Sequence, residues 1–332
     1  MILSLQCVSE ASPGEKWQTL FQNSWPAYKE WFLTEGLISR KGYLTSATML
    51  RRCMPEIYPL YEKLSELAGG GDIQARFLSM YCPPPYMAGC SQIAWNHGDL
   101  FLIRNYDYSP ELFEGAMLYT NYLKPVIGLS DCCWGLLDGM NGDGLAASLA
   151  FGGRNICGEG FGIPLIMRYI LETCTNTREA SEKLAATPCH MSYNVTLLDA
   201  TGNYATVFLA PDKPPVINHS AVGTNHQENV DWLYYEQLTA TRERIKLLEN
   251  YHSQGHETKE TLTNKFLHPP LYCYNYQKNF GTLYTARYDI CERELHLIWP
   301  DSTKLVQSFA NFSEEKISVH LSGGNLKREY LS

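Results

Sequence analysis

The stretch PPPYMAGCSQIAW (83–95) decides how this chain is read. Its three prolines close whatever precedes them, because proline cannot continue a helix or the middle of a sheet. From Cys90 the hydrophobic period becomes two. CSQIAW (90–95), the turn NHGD (96–99) and LFLIRNYDY (100–108) together read as a β-hairpin. Upstream the period is that of a helix. KWQTLFQNSWPAYKEWFLTEG (16–36) and TSATMLRRCMPEIYPLYEKLSELAGGG (45–71) repeat apolar residues at three and four, with Gly69–Gly71 as a stop. Residues 14–80 are therefore expected to be helical, with a boundary at the quoted stretch.

Downstream, GDGLAASLAFGG (142–153) and SYNVTLLDATGNYATVFLAP (192–211) read as strands joined by Gly turns, and GTLYTARYDICERELHLIWP (281–300) as a second hairpin. Between them, GIPLIMRYILETC is expected to be a helix with Pro164 in its first turn, and TREASEKLAA a helix with Thr177 as N-cap. A long helix is expected over about 229–250. Strands alternating with helices in this way suggest sheets covered by helices. No internal repeat or low-complexity segment interrupts the pattern.

The bulk numbers exclude some classes. The 332 residues, 45% hydrophobic and 19% charged, suffice for a full core. A net charge of −8 without a basic run disfavours a nucleic acid partner. The N-terminal residues lack a signal peptide's basic region, and no apolar run reaches the length of a membrane span, so a cytoplasmic location without a membrane partner is expected. Eleven cysteines without a CxxC pair fit reduced thiols, most of them core filler. The nine histidines show no ligand pattern, and no HExxH, GxSxG, P-loop or strand-borne GxGxxG is present, so no metal or cofactor is expected. GEGFG (158–162) lacks the dinucleotide spacing and reads as a turn.

What remains is a cysteine at a strand start. A thiol of ordinary pKa needs a base, and no histidine stands at a telling place. A nucleophile's own α-amino group, with a pKa near 8, is a second solution. Cys90 gains that amine if it attacks the Gly89 carbonyl and the resulting thioester is hydrolysed. Glycine leaves that attack unobstructed and tolerates a strained backbone. On residue types alone such a pair is most often accidental.

GCSQIAW, LIRNYDYSP, GMNGDGLAASLAFGGR, FGIPLIMRYILETC, SYNVTLLDATG and GTNHQ, in this order, resemble the acyl-coenzyme A:6-aminopenicillanate acyltransferase family of N-terminal nucleophile hydrolases. Choloylglycine hydrolases and acid ceramidase are more distant relatives of that family. The resemblance spans about 75–300 and implies an α+β fold, a four-layer αββα sandwich over 90–332 preceded by a helical segment over 1–89. It implies self-cleavage between Gly89 and Cys90, with Cys90 as nucleophile. Asp107 matches the aspartate that orients the thiol and new amine, Arg104 an arginine of the choloylglycine branch, and Asn194 a donor to the oxyanion, a role that contributes roughly 3 kcal/mol. Arg242 matches an arginine near the end of the family's site. Asn225 and His226 build the pocket wall or a polar turn. Tyr193, Trp134 and Phe151 line an acyl pocket or fill the core. Ala150 stands where the choloylglycine branch often has an asparagine, which makes bile-salt hydrolysis less favoured.

The expected activity is that of an autoproteolytic cysteine amidohydrolase or acyltransferase acting on a small acylated substrate, with acyl-coenzyme A as a possible donor. Residues 1–89 are expected to stay docked as a separate chain. The alternatives are an uncleaved binding protein for an acylated small molecule, and a structural protein whose cysteines are core residues.

Overall fold

The computed structural model describes residues 1–322. In chain order the elements are β1 (Ile2–Glu10), α1 (Glu15–Phe32), α2 (Tyr43–Cys53), α3 (Tyr58–Leu67), α4 (Asp72–Ser79), β2 (Gly89–Trp95), β3 (Phe101–Tyr108), β4 (Ala116–Asn121), β5 (Pro125–Asp131), β6 (Gly135–Asn141) and β7 (Ala146–Phe151). There follow α5 (Ile163–Thr173), α6 (Thr177–Ala186), β8 (Tyr193–Leu198), β9 (Tyr204–Leu209), β10 (Val216–Asn218), β11 (Val222–Gly223), α7 (Leu233–Thr239), α8 (Thr241–Gln254) and α9 (Lys259–Phe266). Four strands complete the chain: β12 (Gly281–Asp289), β13 (Glu294–Ile298), β14 (Lys304–Ser308) and β15 (Lys316–His320).

Two sheets pack face to face. One has nine strands in the order β10-β9-β8-β7-β6-β5-β4-β1-β15, the other six in the order β11-β2-β3-β12-β13-β14. Strands β2 and β3 lie against β7 and β8 across the interface, α5 and α6 cover the outer face of the larger sheet, and α8 and α9 cover that of the smaller. The layers run αββα. The central strands of both sheets are covered on two faces, so β2, β6, β7, β8 and β12 are buried end to end.

The helices α1–α4 form where expected, and glycines with positive φ at 69 and 70 follow α3. They add a further layer outside α5. Tyr169 on α5 donates to Glu56 (2.7 Å), and Trp134 Nε1 donates to the Leu78 carbonyl (3.0 Å). The front segment is not wholly helical, however. Residues 2–10 form β1, which runs parallel to β4 on one side and antiparallel to β15 on the other. ILSLQCVSE alternates at period two, with Leu3, Leu5 and Cys7 buried.

Two helix starts differ from expectation. The N-cap of α6 is Asn176, whose side chain accepts the Glu179 N–H (3.0 Å), so Thr177 is the first helical residue. The long helix expected over 229–250 is two helices, broken at Ala240, which adopts a left-handed conformation (φ 48°).

Candidate active site

Strand alternation sorts the hairpin's residues onto two faces. Cys90 stands opposite Tyr106 and Gln92 opposite Arg104, while Gly89 and Ser91 stand opposite Asp107 and Asn105. The first set points between the sheets. Arg104 pairs there with Asp138 of β6, and Gln92 bonds Ser148 (2.8 Å) and Thr196 (2.9 Å). The second set points toward the helices, where Asn105 donates to the carbonyls of Phe266 (2.7 Å) and Leu271 (2.9 Å).

Cys90 is fully buried and held at three atoms. Its N–H donates to Asn225 Oδ1 (2.9 Å), its carbonyl accepts from Arg244 Nη1 (2.9 Å), and its Sγ accepts from Arg104 Nη2 (3.1 Å). Burial pushes the thiol up, against the pull of Arg104 and Arg244 and with the push of Asp107. The guanidinium of Arg104 is itself offset by Asp138, which also accepts from Tyr284 (2.8 Å) and from Tyr288. In the intact chain the thiol therefore keeps its proton at neutral pH.

Asp107 lies behind the strand. Its carboxylate accepts from Thr282 (2.6 Å) and Arg244 (3.4 Å), and burial pushes its pKa up despite both. It also explains Gly89: a Cβ built there meets Asp107 Cβ and Phe280 Cζ at 3.0 Å each. Gly89 lies within strand β2 and is not among the residues with positive φ, so close approach rather than a strained backbone requires the glycine.

The arginine that α8 brings to Cys90 is Arg244, and Arg242 points away from it. Arg242 is exposed, with Glu236 at 3.9 Å, whereas Arg244 is buried and bonds Cys90, Ser91 (2.8 Å), Asp107 and Asn225 (2.8 Å). Two residues along a helix is more than half a turn, so the pair faces opposite ways. The buried stripe Thr241, Arg244, Leu248 was the available signal.

Asn194 is not free to serve an oxyanion. Its amide donates to the carbonyls of Thr224 and His226 (2.8 Å each), fixing the turn that carries Asn225. His226 binds Thr241 Oγ1 through Nδ1 (2.9 Å), and burial, then Arg242, lowers its pKa. Asn225 matters more than expected. Besides receiving Cys90, its Nδ2 donates to the carbonyls of Ala88 and Phe151 (3.1 Å each). Tyr235, absent from the sequence reading, also donates to Ala88 O (2.9 Å). Tyr193 and Phe151 join Tyr86 and Tyr235 in an aromatic wall with ring separations of 5.3–6.0 Å. Trp134 is not part of that wall: fully buried under α4 and α5, it is core.

The eleven cysteines are free thiols. Among the described residues one cluster, Asp289, Glu294 and His296, has metal-ligand types, but Arg287 donates twice to Asp289 (2.9 and 3.0 Å) and Lys259 stands 3.6 Å away. Those cations already balance the carboxylate. No described helix is long and apolar enough to cross a membrane.

A family model described as acyl-coenzyme A:6-aminopenicillanic acid acyl-transferase matches residues 95–304, more than half of the chain. The protein belongs to this family, and the αββα layers agree with the N-terminal nucleophile hydrolase sandwich expected from the motifs. The match begins five residues beyond Cys90. No curated protein matches the sequence. Among solved structures, the chain is similar to penicillin V acylase from Agrobacterium tumefaciens (15% identity, 69% of this chain and 90% of that one, TM-score 0.44). It is similar also to a mutant conjugated bile acid hydrolase from Clostridium perfringens (12%, 71% and 98%, 0.46). A third is the Caenorhabditis elegans N-acylethanolamine-hydrolyzing acid amidase orthologue (14%, 64% and 94%, 0.44).

Proposed function

We propose that the protein is an autoproteolytic cysteine amidohydrolase or acyltransferase that works through an acyl-Cys90 intermediate. The observation that carries this reading is the triple hold on Cys90: nitrogen to Asn225, carbonyl to Arg244 and thiol to Arg104. A merely structural cysteine does not need its two main-chain groups and its sulfur fixed by buried polar side chains.

In maturation, Cys90 Sγ attacks the Gly89 carbonyl carbon, the Gly89–Cys90 C–N bond breaks, and the thiol's proton ends on the new amine. Water then hydrolyses the thioester to a Gly89 carboxylate and a free thiol. The amine takes the place of the N–H that Asn225 Oδ1 accepts, so its lone pair is left to receive the thiol proton when a substrate amide is attacked. That proton passes to the leaving amine, and water or a second amine takes the acyl group.

Asn225 Nδ2 and Tyr235 Oη converge on the Ala88 carbonyl in the intact chain. Withdrawal of the 83–89 tail frees both donors for a substrate oxygen, the task first expected of Asn194. The substrate is a small acylated molecule, and acyl-coenzyme A is a compatible donor. Intact mass under denaturing conditions tests the reading. Two fragments meeting at Gly89–Cys90 are expected for the wild type and one chain for Cys90→Ala; a single full-length species in both defeats it.

A further inference from the structure

A groove enclosing about 240 Å³ lies between α1, the 108–114 loop and the β5–β6 turn, and no step above uses it. Its walls carry the rings of Tyr28, Trp31, Tyr86, Tyr108 and Phe113. It sits one layer of side chains from the nucleophile: Tyr108 stacks on Tyr106 (5.6 Å), and Tyr106 is the cross-strand neighbour of Cys90.

The groove also holds Glu114 and Asp131. Among the described residues no lysine, arginine or histidine forms an ion pair with either. Instead they share the hydroxyl of Tyr28, at 2.6 Å from Glu114 and 2.9 Å from Asp131, and that oxygen also accepts the Cys132 N–H (2.8 Å). A phenol has one proton to give. With Glu114 receiving it, the contact to Asp131 is a hydrogen bond only if Asp131 is protonated. Consistent with this, burial and then the charge of Glu114 push the Asp131 carboxyl up to about 7. The hydroxyl of Tyr86, fully buried on the same groove, has no partner.

Aromatic faces around partly desolvated carboxylates with no counter-cation are the chemistry that binds an ammonium group. We propose that this groove takes the positively charged group of the substrate, so that the enzyme acts on amides bearing an ammonium or quaternary ammonium centre. That the ligand is a substrate rests on the function proposed above; that the groove binds a cation does not. Three of its aromatic residues, Tyr28, Trp31 and Tyr86, come from the segment before the cleavage bond; Tyr86 belongs to the 83–89 tail that withdraws, while Tyr28 and Trp31 stay on α1, so the specificity site spans both chains of the mature protein.

The test uses full-length Cys90→Ala protein, for which amide turnover is irrelevant, and titrates choline against its neutral carbon isostere 3,3-dimethylbutan-1-ol by calorimetry at pH 6, 7 and 8. Choline is expected to bind at least tenfold more tightly at pH 8. Because the bound cation displaces the Asp131 proton, its affinity should fall severalfold from pH 8 to pH 6 while that of the alcohol stays flat. Asp131→Asn should remove both the preference and the pH dependence. Trp31→Leu, on the rim of the groove, should weaken choline at least fivefold at every pH. Equal binding of the two probes, or a choline preference that survives Asp131→Asn, overturns the inference. Choline selectivity in a protein whose wild type never cleaves would uphold the cation groove and defeat the amidase; cleavage without choline selectivity would do the reverse.

Discussion

Arg244 Nη1 donates to the carbonyl of Cys90 at 2.9 Å, reaching it from the helix layer while the thiol points the other way, between the sheets. The nucleophile is thus gripped across its strand: Arg104 holds the sulfur on one face, and Arg244 holds the main chain from the other. Arg244→Ala leaves Asp107 buried without its cation and is expected to destabilise the protein by about 3–5 kcal/mol. Cleavage should slow at least a hundredfold, read by intact mass over time. Arg242→Ala, altering an exposed side chain, should leave cleavage rate and Tm within error of the wild type.

Gly89→Ala places a methyl group 3.0 Å from Asp107 Cβ and Phe280 Cζ. Overpacking of this kind costs about 1–3 kcal/mol, and the displaced Asp107 should slow cleavage. Phe280→Leu in the same chain relieves one of the two contacts. Partial recovery of Tm and cleavage in the double variant is expected; no recovery would place the whole cost on Asp107.

The small chain should not leave after cleavage. β1 lies between β4 and β15, hydrogen-bonded to both, and Trp17 Nε1 on α1 donates to the Cys133 carbonyl (3.0 Å). Its removal would expose two unpaired strand edges and strip α5 of its cover. Size exclusion of cleaved protein should give one peak containing both fragments, separating only in denaturant. A native peak lacking residues 1–89 contradicts this.

Asp131 should cost stability at high pH. Its folded pKa of about 7 lies above that of an unfolded carboxyl, so folding favours the protonated form. The stabilisation is complete below pH 4 and is lost as pH rises toward 7. Asp131→Asn, which cannot ionise, should raise Tm by a few degrees at pH 8 and leave it nearly unchanged at pH 4. A drop in Tm at both pH values would show that the carboxyl serves structure rather than the groove.

The sequence by itself determined the elements whose signals are local. The hairpin around NHGD, the strands at 193–209 and 281–298 and the helices α1–α5 are all visible as periodicity and punctuation. Cys90, Asp107 and Arg104 were singled out by the resemblance of the ordered motifs, and the hairpin's register then sets Arg104 on the Cys90 thiol and Asp107 against Gly89. Tertiary structure decided everything that depends on distance in the chain. β1 is paired to strands more than a hundred residues away, so its place in the large sheet has no local mark. Arg244 prevails over Arg242 because a left-handed Ala240 resets the helix and turns one arginine inward. Asn194 is taken up by the carbonyls of the Thr224–His226 turn, while Asn225, whose motif was equally readable as a polar turn, meets the nucleophile. A residue's chemistry is written in its side chain; which groups compete for its hydrogen bonds is set only when remote strands and helices close around it.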